Sequence, residues 1–544
     1  MDPDAVGRAF DPAVRETFER RVAEQADRIA EDIRSGRLDA DAFAIGLELE
    51  AYATDADGRL VTVPDAVFAA ADCTKELGGH NVEVNTPATR FDPEGLSAQT
   101  RELDERVRAV ATALREGEAS ADAAGNRTPA DAAGNRTPAD AAGRRLALDA
   151  MWTIPPRGGS AAYLNATREA DGLTIAEEMR SSTRYHALDN EVLQRAGGTI
   201  DLDLPGVDLT LDTILVESLT TSIQPHLQVP RAAAIPAYHD VAVRTMAPLL
   251  ALSTNSPFLP ADLYADAAPG VIDETYHEHR VPVFERSINA GRPAGEGNVR
   301  VPEDMADATE IAERVVEDPT YAPSLADEAN GEGGGGAEGN GGERAEADGL
   351  YADRIPEFDR KRGVHWRWIR AVVGGQPVGT DDGASVRLEY RPLPTQPTVR
   401  DNVSLAALTV GLLRGLIAAD HPLRDLPWTA ARDAFYRVVR EGPDAELAWL
   451  TAEGERTADP DAIYDEVFAY ARRGLRESGL DDATADEYLA PIERRRASGP
   501  PSAWKKARAR AAVDDGATVP GAIERAQRAY LDRAGPDREP FADW

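Results

Sequence analysis

The chain has 544 residues, 42% of them hydrophobic, which suits a large folded core and excludes a protein disordered throughout. Its 60 basic and 95 acidic residues leave a formal charge of −35, and the only lysines are Lys75, Lys361, Lys505 and Lys506. Such a surface keeps a protein soluble at high salt, argues against general nucleic-acid binding, and reads as a halophilic acidic protein. The single cysteine, Cys73, excludes an intrachain disulfide and a cysteine zinc cluster, and a plain buried thiol is expected. The acidic start MDPDAVG lacks a signal-peptide core. The longest apolar run, 405–419, is broken by Arg414 and reads as too short to span a bilayer. The expectation is a cytoplasmic protein that engages no membrane.

Residues 11–36 predict an amphipathic helix, opened by Asp11-Pro12 and closed on Gly36. The next stretch, 44–52 (AIGLELEAY), alternates with a period of two. Ile45, Leu47 and Leu49 share one face, and Gly46, Glu48 and Glu50 the other. A turn at 55–58 leads to an expected return strand at 60–63. Residues 81–85 (NVEVN) alternate again, with Glu83 between Asn81 and Asn85, and 93–116 predict a helix. A nine-residue repeat, DAAGNRTPA, starts at Asp122 and Asp131 and restarts at Asp140. It is too short and polar for a solenoid unit and reads as duplication within a surface loop.

Two strands are expected at 209–217 and 220–229; in the second, Ser222, Gln224, His226 and Gln228 share one parity. A helix over 236–251 leads into a turn at 254–258. His277-Glu278-His279 reads as a surface charge cluster, and the glycine-rich stretch 327–349 as a flexible loop. Strands at 365–373 and 385–393 follow, the latter with Arg387, Glu389 and Arg391 opposite Val386, Leu388 and Tyr390. Thr398 caps an apolar helix running to about 419, and the remainder is helical by periodicity. The basic patch at 493–512 is expected to pack against the acidic body, not to bind RNA.

Four strands with polar parity predict a sheet whose polar face lines a cavity, where clustered carboxylates repel unless cations lie between them. Carboxylates from separate strands are hard oxygen ligands for Mg²⁺, and arginines grip phosphate or carboxylate bidentately. Together they suit phosphoryl transfer. The chain carries no P-loop signature and no HExxH.

The segments GLELE, NVEVNTP, TTSIQPHLQVP, STNSPF and LEYRPLP occur in that order. Together they resemble the type 2 glutamate–cysteine ligases and their carboxylate–amine ligase relatives, over roughly 43–419. The resemblance implies an α+β, glutamine-synthetase-like fold: a curved, largely antiparallel sheet lining an ATP and metal cavity, with helices packed outside. The expected organisation is a catalytic domain at 1–420 with flexible inserts at 118–143 and 326–349, and a C-terminal helical region at 421–544 packed on the same body. By position, Glu48, Glu50, Glu83, Glu389 and Gln224 would face Mg²⁺ or Mn²⁺. Arg391, beside Glu389, would steady the transferred phosphate. His226, Asn255 and Arg387 would meet substrate or nucleotide, and Arg280 the glutamate carboxylate. The implied reaction joins an amino-acid carboxylate, with glutamate's as the expected donor, to an amine through an acyl phosphate at the expense of ATP, with small-molecule substrates only. A phosphotransferase of the same fold and a non-catalytic ATP-binding scaffold stay open beside it.

Overall fold

Alternation in the sequence becomes a two-faced sheet. In the computed structural model, which describes residues 3–124, 143–293, 295–326, 351–375, 377–379 and 383–544, the spine is β1 (Ala44–Thr54). After it come β2 (Thr74–Lys75), β3 (Asn81–Asn85), β4 (Thr89–Arg90) and β5 (Arg145–Ala147). Two separate hairpins follow, β6 (Thr167–Ala170) with β7 (Leu173–Ala176), and β8 (Ile200–Leu204) with β9 (Val207–Leu211). The main sheet is completed by β10 (Ile223–Gln228), β11 (Ile369–Val373) and β12 (Val386–Tyr390). Its order is β11-β12-β10-β1-β3-β2, with β4 and β5 pairing the two ends of β1, and every ladder is antiparallel. The sheet curls into a half-barrel in an α+β fold. Ile45, Leu47, Leu49, Val82, Val84, Ile223, Leu227, Val386 and Leu388 are buried in the core on its apolar side. The helices Pro93–Ala124, Ile235–Ala251 and Val399–Ala418 pack on the sheet.

Several helix ends are where the sequence puts them. Asp11 accepts the Ala13 N–H at 2.8 Å ahead of the helix Pro12–Arg34, and Gly36 beyond its end adopts φ +75°. Thr398 accepts the Asp401 N–H at 3.0 Å, opening Val399–Ala418. That helix is longer than the apolar run at 405–419. By length and composition it is able to cross a membrane, but 83% of its apolar window is buried, and it packs against Pro460–Glu477.

Several expectations change. Residues 60–63 form no strand: Leu60 bridges Thr54 and Val61 bonds Ala53 O, but His80 already takes the Ala53 N–H, so no ladder extends. The stretch 209–217 is not one strand; β9 ends at Leu211 and a 3-10 helix, Ile214–Leu219, begins. Asp189 forces that turn by accepting Ile214 N and Thr213 Oγ1, each at 2.8 Å. The helix expected at 93–116 continues to Ala124, into the start of the repeat. His277-Glu278-His279 is no surface cluster, because Glu278 and His279 are fully buried. Glu278 accepts from Asn255 N at 2.9 Å and Ser256 Oγ at 2.6 Å, and His277 meets Ser502 of the C-terminal region.

The basic patch turns inward: Lys505 Nζ donates to Asp149 Oδ1 at 2.5 Å, and Arg495 pairs with Asp401 at 2.9 Å. Cys73 is buried, and that burial pushes its thiol up to about 11, as suits an inert cysteine. Most of the repeat, and the whole loop 327–349, lie outside the described residues.

Candidate active site

Strand register converts parity into rows across the sheet. Thr74, Glu83 and Glu50 are successive cross-strand partners; so are Asn85, Glu48 and Gln224. Gly46, His226, Glu389 and Arg370 form a third row. The structure therefore brings Glu48, Glu50, Glu83, Gln224, His226, Arg387 and Glu389 to one face, with Arg391 just past the end of β12.

One end of this face is acidic. The carboxylates of Glu50, Glu76 and Glu83 place oxygens within 4.8 Å of one another. Glu83 accepts from Thr74 Oγ1 at 2.9 Å and Asn85 Nδ2 at 2.8 Å, and Glu50 accepts from Ser222 N at 2.7 Å and Gln224 Nε2 at 3.1 Å. Burial, then the charge of Glu48, pushes Glu83 up to about 7. Burial and the neighbours Glu83 and Glu50 raise Glu76 well above the carboxylate range, and burial with Glu50 lifts Glu217 to about 8. Such a set asks for positive charge, and its three clustered oxygens fit a hard divalent cation.

The other end is an arginine nest around Glu389. Arg370 Nε donates to Glu389 Oε2 at 2.6 Å, and Arg387, Arg391 and Arg362 approach it at 3.7, 3.9 and 4.0 Å. Burial works to protonate Glu389, but Arg370 and its companions hold it far below the usual carboxylate range. Between the two ends, Arg387 Nε donates to His226 Nδ1 at 3.2 Å, which leaves the ring's Nε2 proton facing Glu48 Oε1 at 3.4 Å. Burial raises Glu48, yet His226 and Arg391 leave it below its ordinary value. Gln224 links both ends, donating to Glu50 and accepting from an Arg391 N–H.

Two expected residues spend their hydrogen bonds on the protein itself. Asn255 is fully buried, its amide donating to Thr395 O and Tyr530 Oη, each at 2.8 Å. Arg280, at 3% exposure, donates to the carbonyls of Arg391 and Pro392 and stacks over Trp368. It braces the chain that carries Arg391. Sequence reading missed Glu76, Glu217, Arg362 and Arg370. Arg370 alternates with the apolar residues of β11, and Glu76 shares parity with Thr74; Glu217 and Arg362 lie on helical turns that carry no strand signal.

The family model places the protein in the class of ligases. The chain belongs to the glutamate–cysteine ligase family 2, whose model matches residues 44–528 and so runs past 419 into the C-terminal helices. No match was found among curated proteins. Among solved structures the chain is similar to a bifunctional glutathione synthetase from Pasteurella multocida, at 14% identity over 93% of this chain and 54% of that one, TM-score 0.46. It thus spans about half the length of that enzyme. It is also similar to a glutamate–cysteine ligase from Francisella tularensis in complex with AMP, at 13% identity over 91% and 95%, TM-score 0.42.

Proposed function

We propose that the protein is an ATP-dependent carboxylate–amine ligase that forms a γ-glutamyl amide through an acyl phosphate, with cysteine the first amine to test. The observation that carries this reading is the acidic trio and the arginine nest on one face of one sheet, in a chain of this family. Opposite charges at the two ends suit a nucleotide whose phosphates lie between them.

A divalent cation held by Glu50, Glu76 and Glu83, with Glu48 and Glu389 facing the same cavity, would neutralise phosphate charge. The remaining work falls to the side chains. Arg391, anchored by one N–H on Gln224, keeps a buried Nε that has no hydrogen-bond partner among the described residues, a donor suited to a phosphate oxygen. Arg370 and Arg387 keep Glu389 ionised. A carboxylate oxygen of glutamate attacks the γ-phosphorus of ATP, and ADP leaves with the bonding pair. The amine nitrogen then attacks the acyl carbon, the C–O bond breaks, phosphate departs and the nitrogen loses a proton.

Incubation with Mg²⁺, ATP, glutamate and a panel of amines at high KCl tests the reading. Equal yields of ADP, phosphate and amide are expected. A stable phosphorylated acceptor without amide would make the protein a phosphotransferase, and ATP binding with no ADP formed would make it a scaffold.

A further inference from the structure

We propose that Glu217 receives the α-ammonium group of the amino-acid donor, making the site select an α-amino acid over a plain dicarboxylate. The inference rests on the ligase reading above and adds to it a residue that reads the donor.

Three observations carry it. First, the turn that bears Glu217 is stitched in place on both sides. Asp189 holds Ile214 N and Thr213 Oγ1, Ser218 O accepts from Asn81 Nδ2 and bonds His80 Nε2, each at 3.0 Å, and Leu219 O accepts from Tyr52 Oη at 2.5 Å. All of these bonds use neighbouring residues. Among the described residues the half-buried carboxylate of Glu217 makes no hydrogen bond and no ion pair. Second, Glu217 lies outside the trio of mutually close carboxylates, so a cation held by those three does not take it as a ligand. Third, Asn81 and Tyr52, which hold the carbonyls of Ser218 and Leu219, are the next cross-strand pair of the same parity as Glu83 and Glu50, so the turn sits against the acidic end of the site.

A rigidly held, partly desolvated carboxyl without a partner keeps its proton, and gives it up when a cation with N–H donors meets it. A substrate ammonium supplies three such donors, and an α-amino acid brings one alongside the carboxylate that reacts. A site that spends a buried polar group on a substrate N–H rejects the analogue lacking it, because the group is then left unpaired.

The test compares glutamate with glutarate, which keeps both carboxylates and lacks the ammonium. With Mg²⁺·ATP and one fixed amine, the wild type is expected to favour glutamate in kcat/KM by about 100-fold or more. Glu217→Gln should cut that preference at least tenfold, through KM for glutamate, while glutarate turnover changes little. Glu217→Asp should fall between, which keeps the test decisive if the Gln variant fails to fold. An unchanged preference in these variants, or equal losses with both donors, would overturn the assignment. So would an effect confined to the amine acceptor. If the wild type used neither donor, the ligase reading itself would fall, and this assignment with it.

Discussion

Glu76 is the residue whose chemistry the sequence hides best. It follows a two-residue strand, too short for alternation to announce it, yet its carboxylate closes the group with Glu50 and Glu83. Glu76→Gln should lower Mg²⁺-dependent phosphate release by about 100-fold, the scale of losing one oriented electrostatic group. The melting temperature should hold or rise, since repulsion is relieved. A normal Mg²⁺ titration would place the cation elsewhere. Arg391 was legible, because it shares parity with Arg387 and Glu389. Arg391→Lys keeps the charge but loses the planar fork, so kcat should fall by about 100-fold while KM for ATP changes much less. A rise in KM with kcat spared would make Arg391 a ground-state contact. Asn255 and Arg280 were legible only as positions; their buried bonds to Thr395, Tyr530 and the 391–392 carbonyls come from segments far away in the chain.

Elements were legible where one face is apolar and the other is not. β1, β3, β10 and β12 follow from alternation alone, and their register then assembles the rows. The stretches 60–63 and 209–217 carried strand-like composition too. Pairing decided against them, through the Ala53 N–H taken by His80 and the turn seized by Asp189, and no local pattern records either event. The C-terminal helices show a similar limit: their helicity is periodic, but how closely they pack is set by glycines. A Cβ on Gly415 would lie 1.8 Å from Tyr470 O, and one on Gly474 would lie 1.9 Å from Gly411 O, so Val399–Ala418 and Pro460–Glu477 touch backbone to backbone. Gly415→Ala should therefore cost about 1–3 kcal/mol, the range for overpacking, read from denaturant unfolding at high salt. An unaltered midpoint would mean the helices stand further apart.

At the scale of the whole molecule, charge sets the conditions of stability. With −35 overall, self-repulsion weakens as salt screens it, so high KCl is the setting for every measurement. Buried carboxyls add a dependence on pH. Burial lifts Glu285 to about 7 despite the bonds its Oε1 accepts from Trp368 Nε1 at 2.7 Å and Tyr436 Oη at 2.8 Å. A folded-state value above the unfolded one means this stability is full below about 4.5 and lost as pH rises through about 7. A glutamine carbonyl can accept both bonds without the charge. Glu285→Gln should thus lie closest to the wild type near pH 5 and be more stable than it at pH 8, by on the order of 3 kcal/mol. Equal melting at pH 8 would mean that the carboxylate is well solvated. The central claim is that carboxylate activation passes through an acyl phosphate, and an isotope reads it directly. With glutamate carrying ¹⁸O in its γ-carboxylate, ATP, Mg²⁺ and a competent amine, each amide formed should deliver one ¹⁸O into the released phosphate. Label appearing in AMP, or staying out of the phosphate while amide accumulates, would contradict the account.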